Sequence, residues 1–271
     1  MLRALLLAAL VASSSAAAWQ TPSTGRGGAG PDDEPTMPMF FAWPKATLRV
    51  LLVPPAHGPV YSGLPPDGEP PLEAIDGTYL RASLDAMRDW DAAIDFFAAT
   101  HPEQAWLQGV SWQLLVASGE GAGVLADELN QADVVVLYQE TLGAVMGLTW
   151  NGVRPTPLGM QVDSPHPVCV INNGQWLGYS FTYADMYNIH GHEFGHCLGV
   201  LHANVAHDVM DGEYDHWPTP ATAAELHCMS NLDVAGLALS FGEALGHPPT
   251  ETTARVDVWE RYPLRAGCEG L

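Results

Sequence analysis

The chain has 271 residues and carries 10 Lys+Arg against 31 Asp+Glu, a formal net charge of −21. That balance argues against nucleic acid as a partner, because phosphate would be repelled at almost any face. A single lysine, Lys45, leaves no polybasic patch for an anionic membrane, and a hydrophobic share of 47% argues against a wholly disordered chain.

Arg3, the apolar run Ala4–Ala12, Ser13–Ser15 and Ala16–Ala18 form the pattern of a secretory signal over residues 1–18, with cleavage before Trp19. About nine apolar residues cannot cross a bilayer that needs ~20, so export without a membrane anchor is expected. Residues 19–44 read by composition as a flexible linker or short pro-segment, and 45–271 as the folded domain. Ala46–Val53 is the first strand, stopped by Pro54 and Pro55. Tyr79–Ala99 is an amphipathic helix: Leu80, Leu84, Met87, Trp90, Ile94 and Phe97 recur at helical steps, with Arg81, Asp85, Arg88, Asp89 and Asp95 between them.

Val110–Ala117 and Asp133–Tyr138 read as strands, the second as a central one because its apolar run is nearly unbroken. Met146–Trp150 and Val168–Asn172 are further short strands. A second helix starts at Thr182, where Thr182 and Asp185 form a capping box, and runs to about Leu198 with Gly199 as its terminator. A third starts near Ser230 or Asn231 and runs to about Leu245, and the tail after Pro248 reads as irregular. This order predicts an α/β or α+β domain. Cys169, Cys197, Cys228 and Cys268 imply two disulfides. Of three pairings, Cys197–Cys228 with Cys169–Cys268 is preferred.

The chemistry concentrates in His192-Glu193-x-x-His196-x-x-Gly199-x-x-His202. Residues four apart on a helix share a face, so His192 and His196 can address one ion. Glu193, about 100° around the helix, can reach a water on that ion without ligating it. Gly199 allows the left-handed turn that brings His202 back as third ligand. Three neutral nitrogens leave the fourth position of a tetrahedral zinc open, as catalysis requires. His190 faces away from that set and reads as packing or solvated, and His207, His216 and His227 are not needed as ligands.

This motif resembles that of the metzincin zinc metalloproteases, and Met210, eight residues after His202, matches their methionine turn. The short gap, and Ser230–Leu237 as the opening of a C-terminal helix, are similar to the matrixin branch. The position two after Met210, a tyrosine in other branches, is Gly212. The resemblance implies a mixed, twisted sheet of about five strands with three main helices, and a zinc cleft between a larger N-terminal and a smaller C-terminal subdomain. It implies a monomeric, secreted endopeptidase acting on protein or peptide substrates, with one catalytic zinc held by His192, His196 and His202, Glu193 as general base and Met210 beneath the metal. It further implies that an extended substrate pairs with an edge strand around Ala144–Trp150. Structural calcium occurs in the family, but no residue here is assigned to it. Two other functions stay open at this point: an inactive zinc-binding protein of the same fold, and a zinc hydrolase acting on a non-peptide substrate.

Overall fold

The computed structural model describes residues 42–53, 77–116, 128, 131–139, 147–150, 153–156, 159–162, 168–172, 175–176, 179–180, 182–203, 205–212, 225–248 and 259–268. The secretory signal, nearly all of the linker, and His216 lie outside the described residues. The architecture is mixed α/β. In chain order come β1 (Thr47–Val53), α1 (Gly77–Thr100), a 3-10 segment (Pro102–Gly109), β2 (Ser111–Val116), β3 (Val134–Gln139), β4 (Gly147–Trp150), β5 (Val153–Thr156), β6 (Gly159–Val162), β7 (Val168–Asn172), β8 (Gln175–Trp176), β9 (Tyr179–Ser180), α2 (Tyr183–Cys197), α3 (Asn231–Phe241) and a closing 3-10 turn (Glu243–Leu245).

The main sheet has the order β2-β1-β3-β7-β4. Its first four strands are parallel, and β4 joins β7 antiparallel as the last strand, with Thr149 opposite Cys169. Alternation along a strand sends Leu48, Val50 and Leu52 of β1 and Val134 and Val136 of β3 to one face. There they share a core with Trp90, Ile94 and Phe97 of α1, Met186 and Phe194 of α2, and Leu237 and Phe241 of α3. Leu51 and Val135 are buried too, which is why the apolar run of β3 has almost no polar interruption. Asp133 aligns the start of this pair: its carboxylate takes the Arg49 N–H at 2.7 Å and Lys45 Nζ at 2.5 Å.

The β5–β6 and β8–β9 hairpins and the Pro102–Gly109 segment are not foreseen by the sequence. Their strands are four and two residues long, too short for a period to register, and Pro155 inside β5 argues against a strand. The third helix also stops earlier than expected, at Phe241 rather than about Leu245. At Gly242 the backbone tightens, because His247 N–H turns back to the Gly242 carbonyl at 2.7 Å.

Two expectations require larger correction. Asp85 and Asp89, assigned by periodicity to the polar face of α1, are buried. The C-terminal strap Trp259–Cys268 crosses to them: Arg265 bonds both Asp89 oxygens, stands 3.7 Å from Asp85, and lies 4.9 Å over the Tyr187 ring. Tyr183 and Tyr187 add hydroxyl donors at 2.5 Å to Asp85 and Asp89. The disulfide preference also fails, because Cys228 bonds Cys268, with Cα atoms 5.6 Å apart, and Cys197 is disulfide-bonded elsewhere. The reason is local. The strap runs beside residues 229–231, with Tyr262 N–H on the Met229 carbonyl and Asn231 N–H on the Glu260 carbonyl. That places Cys268 next to Cys228.

Burial pushes the Asp89 carboxyl up even beside Arg265. Replacing the guanidinium leaves a buried, uncompensated carboxylate. Arg265→Met is therefore expected to cost about 3–5 kcal/mol near pH 7, read by urea unfolding. An acid whose folded pKa is raised favours the folded state below that pKa and loses this contribution as pH rises through it. Losing Arg265 raises the pKa of Asp89 further, so the deficit of the variant should shrink as pH falls. A deficit that grows instead would refute the pairing.

Candidate metal centre

Helix α2 begins with a full capping box. Asp185 N–H donates to Thr182 Oγ1 at 3.3 Å, and Asp185 Oδ2 takes the Thr182 N–H at 2.6 Å; such caps contribute about 1 kcal/mol. It ends as foreseen. Leu198 caps it and Gly199 turns at φ 92°. Gly199 N–H bonds the His196 carbonyl at 3.0 Å and Val200 N–H bonds the Gly195 carbonyl at 2.9 Å, the paired bonds of a Schellman turn. That turn redirects the chain so that His202 returns to the helix face carrying His192 and His196.

The three imidazoles converge. His196 Nε2 lies 3.0 Å from His202 Nε2, which lies 3.1 Å from His192 Nε2. Among the described residues, these three are the group of His, Cys, Asp or Glu side chains near enough to share one ion. His192 is buried, His196 half-buried and His202 exposed, so the group opens toward solvent on the His202 side.

The donor set fits a metal. His192 Nδ1 donates to the Val209 carbonyl at 3.0 Å, and His196 Nδ1 to the Val200 carbonyl at 2.8 Å. These partners assign the Nδ1–H tautomer and leave both Nε2 atoms as lone pairs. His202 Nε2 faces both, and one N–H could satisfy only one of them; a cation satisfies all three. Ligand atoms of a tetrahedral zinc with bonds of 2.0–2.1 Å stand about 3.3–3.4 Å apart, close to the spacing here. Burial keeps the rings neutral, as ligation needs. It lowers His192 well below the usual histidine range and His196 to about 4, with neighbouring histidines adding to the effect, and it lowers His202 as well.

Met210 packs against the same helix. Its sulfur packs on the helix backbone at Gly195, where a Cβ would stand 2.3 Å from Sδ and 2.7 Å from Trp90 Cζ2. The turn is tied to the ligand segment by Ala203 N–H on the Met210 carbonyl at 2.8 Å. Asp208 anchors it: Oδ1 takes the Met210 N–H, and Oδ2 takes the Ser230 hydroxyl at 2.6 Å and the Trp259 indole at 3.1 Å. Burial and the charge of Asp208 push Asp233, the N3 residue of α3, well up. Gly212 leaves no room for a larger residue, since a Cβ there would come within 2.7 Å of the His202 ring.

Glu193 is buried beside these ligands on α2. Thr149 of β4 donates to Glu193 Oε2 at 2.5 Å and stands 2.9 Å from the Glu193 carbonyl oxygen. A Cβ at Gly147 would stand 2.4 Å from Oε1, so only glycine lets β4 approach this closely. Burial pushes the Glu193 carboxyl up to about 7, against the lowering effect of the Thr149 bond. Neither Gly147 nor Thr149 is singled out by the sequence, because they lie more than forty residues from Glu193 in no motif with it. His190 packs as expected, its Nδ1 2.5 Å from Ser83 Oγ in the core. His207 and His227 stay outside the ligand group.

The full chain should bind one zinc and gain stability by RT ln(1 + [Zn]/Kd), about 4 kcal/mol at a thousandfold excess over Kd. His202→Ala should lose at least about 100-fold in zinc affinity by competition titration, since one of three protein ligands is gone. Unchanged affinity would remove His202 from the ligand set. No protein-family model and no curated protein matches this chain, so the three histidines and Glu193 carry the functional conclusion by themselves.

Proposed function

We propose that this protein is an exported zinc endopeptidase of the metzincin type. One observation carries the reading: two imidazoles with their Nδ1 hydrogens committed to backbone carbonyls share a 3.0–3.1 Å cluster of Nε2 atoms with His202, and Glu193 stands next to His192. Zinc suits three neutral imidazoles and keeps a position for water or substrate. When bound, the ion supplies Lewis acidity that polarises a peptide carbonyl and brings the pKa of water from about 15.7 toward 7.

The chain supplies the rest. Glu193 accepts the proton of the attacking water on its carboxylate and passes it to the departing amine nitrogen as the C–N bond breaks. His192 and His196 keep their Nδ1–H bonds throughout and so hold their ring planes. Strand β4, at the edge of the main sheet and in contact with Glu193, supports binding of an extended peptide by strand addition. Among the described residues no helix is long and apolar enough to cross a membrane. The Cys228–Cys268 disulfide supports an oxidising compartment, and the acidic surface favours neutral or basic substrate segments.

Casein or a quenched-peptide library, assayed with and without a chelator, tests the activity. Cleavage should vanish on chelation and return with zinc. Glu193→Gln should keep its zinc, because the ligands are untouched, while hydrolysis falls by about three orders of magnitude or more. A zinc-replete variant that still cleaves peptides would end the general-base assignment. A wild-type protein that binds zinc and cleaves none of these substrates would end the peptidase reading.

A further inference from the structure

Strand β4 meets the Glu193 carboxyl at both oxygens. Gly147 and Thr149, two residues apart, face the same side of the strand. The bare Cα of Gly147 closes on Oε1, and the Thr149 hydroxyl reaches Oε2 at 2.5 Å. We propose that Thr149 is the positioning residue for the general base, holding the Glu193 carboxyl in one orientation. The proposal rests on the peptidase reading above.

A hydroxyl has one hydrogen and two lone pairs, so the two contacts of Thr149 Oγ1 are alternatives. With Glu193 ionised, the hydrogen goes to Oε2 in a short charge-assisted bond. The Glu193 carbonyl oxygen, 2.9 Å away, is the second acceptor within its reach, so both contacts keep the hydroxyl against Glu193. A valine would fill the same volume and pack β4 on α2 equally well, but could donate to neither oxygen. The threonine is itself fixed in register opposite Cys169 by the β4–β7 ladder, so the base is located by the sheet as well as by its own helix.

The test compares wild type, Thr149→Val and Thr149→Ser, each as the full chain, with zinc content measured first. Crystal structures of the metal-free proteins give a readout independent of turnover. Glu193 should hold a single orientation in wild type and Thr149→Ser, and be displaced or split in Thr149→Val. In the zinc-loaded proteins Thr149→Val should bind zinc normally and lose about 10- to 100-fold in kcat with KM within about twofold, the range set by one hydrogen bond to a charged group. Thr149→Ser should stay within about threefold of wild type, and Thr149→Val should add nothing to Glu193→Gln. Should Thr149→Val fail to fold, Thr149→Ala carries the same expectations. An unmoved Glu193 with unchanged kcat would overturn the positioning role while leaving the peptidase reading intact. A wild type that cleaves no peptide would overturn that reading, and the crystallographic comparison would still decide whether Thr149 orients Glu193.

Discussion

The hydrogen bond from His192 Nδ1 to the Val209 carbonyl ties the ligand helix to the turn beneath it, and much of the C-terminal half is arranged to keep that carbonyl in place. Val209 donates its own N–H to the Cys228 carbonyl, and Cys228 returns its N–H to His207. The neighbouring Asp208 is held by Ser230 at the cap of α3 and by Trp259 of the strap. The disulfide joins the same two places covalently. The His192 ring is thus supported by contacts made outside the group of three imidazoles. The buried Asp208–Asp233 pair sits among donors: the Met210 N–H, the Ser230 hydroxyl and the Trp259 indole reach Asp208, and the Ser230 N–H reaches Asp233.

Legibility followed the range of each interaction. Helix α2 could be read at both ends because its signals are local: Thr182 and Asp185 are three residues apart, and Gly199 is the one residue that turns freely at φ 92°. Asp85 and Asp89 were misassigned because burial of a carboxylate depends on its partner, and Arg265 lies about 180 residues away. The cysteine pairing failed for the same reason, since nothing local announces that the strap runs beside residue 229. Thr149 and Gly147 share this blindness: a hydroxyl and a missing methyl acquire meaning only when the sheet edge meets the helix.

The interior of α2 is nearly all buried, yet it carries Gly191 and Gly195, each costing about 1 kcal/mol against alanine in a helix. A Cβ at Gly191 would stand 2.8 Å from Val209, and one at Gly195 would strike Met210 and Trp90. The helix gives up intrinsic stability so that the turn and α1 can come close enough to brace its histidines.

That trade has a consequence for anyone wishing to harden the protein against heat. The usual remedy of replacing helical glycines by alanine is closed at 191 and 195, and at 147 in the sheet it would displace the Glu193 carboxyl. Room for improvement lies instead on the outer side of α1, where Asp91 and Asp95 stand one turn apart with like charge and burial already raises the pKa of Asp91. Thermal engineering and the histidine cluster therefore engage different faces of these helices.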